Sequence, residues 1–332
     1  MKTVFIFLSL VCLAFPPAGA QELKCEDIKP KIKSLKVMTM RPVKRNKVWL
    51  EGNPGSVFQT SCAADGLKTE EAEYRQKTLV SKKRFIHKTM EEIKAMCRNI
   101  KSEKKVNSSF GEDSRSELEI YCREKLKKDF DAVMVYDAVA APNASGALNL
   151  IRQTFRFFNS KGFPVEEHQF DLYMGLEVKI TYKYRGKNDL AEKTDYGPDG
   201  DLLEQEVYSF NKAANTRTVS VFNEHGQPTK KTVYEYRKDG TCSKEIRTTY
   251  DSGEQMLSKS EIYRDEKGAP RKEVVYEGSF ENPVYEYRYA YKSDKNGNWI
   301  EEWKTKFLAY GNKRLKDKSA APRIIKREIT YY

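Results

Sequence analysis

From Thr69 onward the apolar positions Leu79, Ile86, Met90, Ile93, Cys97 and Ile100 recur at steps of 7, 4, 3, 4 and 3. That is the spacing of one helix face, with Thr69 as its cap and Glu70, Glu71 and Glu73 in the first turns. Ser114 and Glu117 then form a capping box, and Leu118, Cys122, Leu126, Phe130 and Val133 recur at steps of 4, 4, 4 and 3 as a second helix face. The two stripes predict a helical hairpin over 69–140. A small-residue linker, 141–147, follows it, and from residue 148 the period changes from about 3.6 to 2. Tyr285, Tyr287, Tyr289 and Tyr291 alternate with Glu286, Arg288 and Ala290, and Ile246, Thr248 and Tyr250 alternate with Glu245, Arg247 and Thr249. This is the pattern of half-buried strands.

Turn signals punctuate this second half at a nearly fixed pitch, among them Pro198-Asp-Gly200, Glu224-His-Gly226, Lys238-Asp-Gly240, Asp251-Ser-Gly253, Glu266-Lys-Gly268 and Lys295-Asn-Gly297. Consecutive turn markers lie 11 to 15 residues apart, an internal repeat that predicts about 13 antiparallel strands over 148–332. The fold class expected is therefore α+β, a disulfide-stabilised helical hairpin followed by a long up-and-down β-meander.

The segments Tyr234-Glu-Tyr-Arg-Lys-Asp-Gly240 and Tyr263-Arg-Asp-Glu-Lys-Gly268, with the run from Tyr289 through Asn296-Gly-Asn to Trp299, resemble the Tyr-Asp (YD or Rhs-type) repeats of bacterial exported proteins over about residues 165–332. Most copies here replace the Asp that follows Tyr. The resemblance implies a secreted or envelope-associated β-sheet protein of bacterial origin. A tract this short cannot enclose a second domain, so the shell-forming role of the large members is not carried over.

The N-terminus fits that compartment. Lys2, the apolar run Val4 to Phe15 and the small residues up to Ala20 read as a secretory signal peptide, 1–20, and no later segment is long and apolar enough for a helical membrane span. Removal of the leader leaves five cysteines. In an oxidising compartment the expected pairs are Cys97–Cys122, facing one another across the hairpin, and Cys25–Cys62 by elimination. Cys242 is expected as a thiol on a strand rather than as a nucleophile, because no histidine is placed to activate it.

Charge adds one feature. The chain has a formal net charge of +12, yet nine Lys or Arg against Glu26 and Asp27 fall between Lys24 and Lys47, within a stretch read as a basic extended arm, 21–68. Residues 148–332 carry 33 basic and 29 acidic side chains. Lys31, Lys33, Lys36, Arg41, Lys44 and Arg45 are thus one candidate binding surface, for an anionic envelope polymer or a protein partner, and a solvated arm pinned by Cys25 and Cys62 is its plainer reading. Tyr285, Tyr287, Tyr289, Trp299 and Trp303 are the other, since aromatic rows serve both sheet packing and ligand stacking.

With 332 residues, 39% hydrophobic and 33% charged, the chain has the composition of one or two globular domains. Its catalytic vocabulary is thin. The three histidines, His87, His168 and His225, are isolated and expected on the surface, and neither a G-x-S-x-G elbow, a phosphate-binding glycine loop nor a zinc motif occurs. The paired carboxylates Glu166-Glu167, Glu301-Glu302 and Glu204 with Glu206 are weighed as hydrolase candidates, and a solvated sheet face is their plainer reading. No catalytic, metal or cofactor site is expected, no nucleotide, and nucleic acid is disfavoured. The expectation is a non-enzymatic, periplasmic, envelope-associated or extracellular binding or structural protein; the alternatives are a secreted hydrolase of an envelope polymer and an outer-membrane β-barrel, the last suggested by the terminal Ile329-Thr-Tyr-Tyr332.

Overall fold

In a computed structural model the described residues are 32–64, 68–88, 91–92, 95, 132–140, 150–159, 163–171, 175–186, 189–277 and 281–332, and they are nearly all β. The chain divides into two compact units, residues 1–79 with 207–332, and residues 80–206.

The first unit contains β1 (Ile32–Met40), β2 (Val43–Arg45), β3 (Val48–Leu50), β4 (Pro54–Cys62) and β5 (Lys68–Arg75) from the N-terminal side. From the C-terminal side it contains β13 (Thr216–Asn223), β14 (Pro228–Tyr236), β15 (Cys242–Tyr250), β16 (Met256–Arg264), β17 (Pro270–Glu277), β18 (Tyr285–Ser293), β19 (Trp299–Tyr310), β20 (Lys313–Lys316) and β21 (Arg323–Tyr331). From β13 to β19 each strand pairs antiparallel with the next. β19 then pairs with β20 over its last residues and with β21 over its first, so the β19–β20 hairpin runs on beyond the body of the sheet. β1 lies between β21 and β4, antiparallel to both, and β4 pairs with β5. Much of the basic stretch expected to be an extended arm is therefore a central strand with a neighbour on each side.

The second unit holds most of β6 (Thr78–Lys88), then β7 (Ala132–Ala140), β8 (Leu150–Phe158), β9 (Pro164–Asp171), β10 (Leu176–Arg185) and β11 (Asp189–Tyr196), each pairing antiparallel with the next. β12 (Leu202–Asn211) crosses the division between the units. Phe155, Phe157 and Phe170 are buried here, with Phe155 and Phe170 edge to face at 5.6 Å.

The α+β expectation is overturned in its first half. Residues 69–88 of the expected first helix are β5, a two-residue turn and β6; the segment 132–140 is β7, paired with β6 from Ser81↔Ala140 to Lys88↔Val133. The helical reading counted Leu79 and Ile86 and stepped over Val80 and Phe85, which alternate with them as strand residues do. Its acidic first turn lies within β5, where Glu71 pairs with Lys68 and Glu73 with Arg75. The turn at Gln76 and Lys77 was invisible because it takes φ of 49° and 70° without glycine. Among the described residues helix is confined to Glu91, Glu92 and Ala95. Among the described residues no helical hairpin occurs, and Cys25, Cys97 and Cys122 lie outside them. Cys62 is disulfide-bonded, with a partner also outside them.

The repeat of the second half has a physical basis. Asn223, Asp251, Asp265 and Asp294 each end a strand and accept, through one side-chain oxygen, the backbone N–H groups two and four residues on, at 2.8–3.0 Å. The residue three on takes positive φ and is Gly226, Glu254, Gly268 and Gly297 in turn. One turn design, with the Asx oxygen fixing the chain reversal and glycine relieving the left-handed position, generates the pitch seen in the sequence.

The apolar core of the first unit is small. Ile32, Leu35 and Cys62 cluster with Val37, Ile329 and Tyr331, and Met38, Met40 and Ile324 cluster with Val57 and Trp303. Because residues directly paired across strands share a face, the registers place Leu35 and Met38 on opposite faces, so these are two clusters on two sides of β1. Neither extends over the meander.

Candidate functional site

Most of the meander is covered by ion pairs. On one face Arg264 donates to Glu245 at 2.6 Å and Arg247 to the other oxygen of Glu245 at 2.8 Å. On the same face Lys304 and Tyr289 both donate to Glu273, at 2.5 and 2.8 Å, while Arg323 and Tyr291 hold Glu302. On the opposite face Lys244 and Lys259 hold Glu261, Arg288 holds Glu286, and Lys292 and Trp303 hold Glu301. All six carboxylates are buried. Burial alone pushes a carboxyl up, but at Glu261 the hydrogen bonds from Lys259, Tyr263 and Lys244 outweigh it and hold the group at about 2. At Glu273 burial is likewise outweighed by the Lys304 charge and the Tyr289 hydroxyl, and at Glu301 the Lys292 hydrogen bond leads the lowering. Glu261, Glu273 and Glu301 are thus ionised and compensated, not poised to exchange protons near neutrality.

The aromatic row is part of this arrangement. Tyr285, Tyr287, Tyr289 and Tyr291 share one face, paired with Leu308, Lys306, Lys304 and Glu302 of β19. Lys306 sits over the Tyr285 ring at 4.3 Å, Lys304 over Tyr287 at 4.4 Å and Tyr289 at 5.1 Å, and Arg327 over Trp299 at 3.3 Å. Ring faces a sugar or peptide would stack on are thus occupied by the protein's own cations. Burial, with the hydrogen bond to Glu277, pushes the Tyr285 hydroxyl up to about 12. Trp303 stands on the opposite face from the tyrosines, opposite Ala290 and Ile324, so the five aromatics read as one surface occupy two.

The two ends of the first unit differ in chemistry. At one end lie the turns after β14, β16 and β18, with Lys238, Asp239, Glu266, Lys267, Lys295 and Asn296 exposed, a mostly polar rim whose exposed apolar side chains are Phe210 and Tyr332. At the other end lie the turns after β15, β17 and β19 and the β1–β4 connection. There Met256, Leu257, Val284, Tyr310 and Leu315 are exposed, as are Val43, Val48 and Leu50 of the β2–β3 hairpin. The sheet order makes these turns neighbours along one edge, and the β2–β3 hairpin touches the β19–β20 arm directly, Lys44 donating to the Lys318 carbonyl at 2.8 Å. Lys44 also lies over the Trp49 ring at 5.1 Å. Exposed Lys44, Arg45, Lys47, Lys313, Lys316 and Lys318 crown the two hairpins. Of the acids on this rim, Glu51 pairs with Lys326 and the Asp317 carboxyl is held low by hydrogen bonds from Ser319 and the Ala320 amide, while Glu254 and Glu281 are exposed in the turns after β15 and β17.

Of the basic surface expected from the sequence, Arg41, Lys44 and Arg45 belong to this rim. Lys33 and Lys36 lie on β1, Lys36 paired with Glu328, and Lys31 lies outside the described residues. Lys47, Val48, Leu50, Tyr310 and Leu315 were not among the candidate surface residues. His168, expected on the surface, is buried with its Nε2 at 3.1 Å from Glu166 and its ring against Phe157. His225 is exposed in its turn, and the His87 side chain lies outside what is described. Glu301 and Glu302 point to opposite faces, as do Glu166 and Glu167, so neither adjacent pair forms a dyad. Cys242 is buried and remains a thiol whose Sγ donates to the Lys244 carbonyl at 3.6 Å. Among the described residues no cluster of three or more potential metal ligands occurs.

No protein-family model and no curated protein matches the chain. Among solved structures it is similar to a porin-like protein from Bacteroides uniformis ATCC 8492, at 7% identity over 90% of this chain and 98% of that one, with a TM-score of 0.42. It is similar to a porin-like protein from Bacteroides vulgatus ATCC 8482, at 9% identity over 91% and 98%, with a TM-score of 0.34. It is also similar to the Photorhabdus luminescens Tc holotoxin pore, at 10% identity over 82% of this chain and 19% of that one, with a TM-score of 0.15. At these identities and TM-scores the likenesses carry no function over to this chain.

Proposed function

We propose that the chain is a non-enzymatic, exported, envelope-associated protein whose β-meander is a binding or structural scaffold, built from Tyr-Asp-like turn repeats. The observation that carries this reading is the pairing of Glu245, Glu261, Glu273, Glu286, Glu301 and Glu302 with Lys or Arg on both sheet faces. A glycosidase or other hydrolase needs one carboxyl kept protonated beside one kept ionised, whereas the surroundings of Glu261, Glu273 and Glu301 all favour the ionised form. The same pairing supports a sheet wet on both sides over a bilayer-spanning wall, since a transmembrane strand needs one face of apolar residues.

The test is incubation of the exported chain with purified peptidoglycan and with lipopolysaccharide, followed by assay of both bound protein and released fragments. Retention without fragment release is the expected result. Fragment release that disappears in Glu273→Gln would replace the scaffold reading with a hydrolase.

A further inference from the structure

The first unit's two rims differ in a way its fold does not require. Both are sets of short β-turns, yet exposed apolar side chains gather on one rim, and the hairpins that carry them are crowned by lysines. Leu257, Val48 and Leu315 are each more than half exposed, at 56%, 58% and 56%, which costs free energy in water at every site. The turn of the β2–β3 hairpin adds a second cost. Asn46 and Lys47 both take positive φ, 48° and 63°, where the second position is ordinarily glycine, so a charged residue is kept at a strained place. Exposed apolar side chains set beside cations suit an interface with both apolar and anionic groups within reach, which is the chemistry of a bilayer with negatively charged headgroups. The neighbouring turns follow one another along the sheet edge at about 4.8 Å per strand, so they can meet a flat surface together.

We propose that this rim docks the protein peripherally on an anionic phospholipid surface, with the exposed apolar side chains of the β2–β3 and β19–β20 hairpins entering among the headgroups and the lysines beside them meeting the phosphates. The inference rests on the envelope reading above and names the surface. The aromatic row takes no part, because its rings are already covered by Lys304, Lys306 and Arg327.

The test is co-sedimentation of the exported chain with vesicles of phosphatidylglycerol and phosphatidylethanolamine, with phosphatidylcholine vesicles and with peptidoglycan sacculi. Each cation near such a surface contributes about fivefold, so Lys47→Gly/Lys316→Gln/Lys318→Gln should weaken binding to the anionic vesicles on the order of 100-fold. The glycine at 47 relieves the backbone, so loss of binding there is not loss of the hairpin. Val48→Ser/Leu257→Ser/Leu315→Ser should also weaken binding, and high salt should release the parent protein. Lys212→Gln/Lys238→Gln/Lys295→Gln, with the same net charge at the polar rim, should bind as the parent does. Vesicle binding unchanged by the first two variants, equal loss in the polar-rim variant, or no vesicle binding at all would each overturn the proposal. Retention on sacculi alone overturns the bilayer surface but leaves the scaffold reading intact, whereas fragment release from sacculi overturns that reading itself.

Discussion

Arg264 offers the sharpest test of a meander held together by buried charge. Its side chain is 1% exposed and that of Glu245 is 3% exposed. Arg264 donates to Glu245 at 2.6 Å and to the Gly268 carbonyl of the following turn at 2.9 Å. Arg264→Met keeps most of the volume and removes both bonds, leaving a buried carboxylate with Arg247, which is 23% exposed, as its named cation. Stranding one member of a buried pair costs about 3–5 kcal/mol, and because Arg247 stays the lower end applies, about 3 kcal/mol. Replacing both partners, as Arg264→Met/Glu245→Met, removes the stranded charge and should return stability to within about 1 kcal/mol of the parent. The three tryptophans, Trp49, Trp299 and Trp303, all lie in the first unit, so urea denaturation followed by tryptophan emission reads that unit alone. A single variant costing less than about 1 kcal/mol, or a double variant as unstable as the sum of the singles, would refute the reasoning.

Glu254 holds the position that is glycine in three sister turns, at φ 61°, so Glu254→Gly should stabilise by up to about 1 kcal/mol in the same assay, and a loss would contradict the shared turn design. Glu261 is held at about 2 against an ordinary 4.5. A lowered carboxyl stabilises the fold above its unfolded value and loses that contribution as pH falls through the folded one, so stability should decline between about pH 4.5 and about 2. Glu261→Gln should flatten that decline, and an unchanged acid limb would speak against it. Cys242, 2% exposed, should be alkylated only after unfolding, as read by peptide mapping; modification of the native protein would contradict its burial.

The meander was legible because each of its turns carries an Asx or glycine signature, and the alternation of Tyr285 to Tyr291 gave a face that the register to β19 matches. The β5–β6 hairpin was not legible, because Gln76-Lys77 turns without either residue and a stretch of mixed Leu, Ile and charge fits a helix stripe as well as a strand until its partner strand is known. Which lysines of the basic stretch are exposed was not legible for the same reason. Net charge locates lysines, but only the pairing of β1 with β21, almost 300 residues away, separates Lys36, spent on Glu328, from Lys44 and Lys47 on an exposed hairpin. Nor could composition distinguish tyrosines that wait for a ligand from tyrosines whose rings already carry Lys304 and Lys306.

Fractionation of cells producing the exported chain tests the central claim most directly. A scaffold seated on the envelope by its rim should pellet with membranes and leave them in high salt or alkaline carbonate without detergent. A chain that resists both and needs detergent would be a membrane-spanning barrel, and one that never pellets would have no envelope seat; either result contradicts the account.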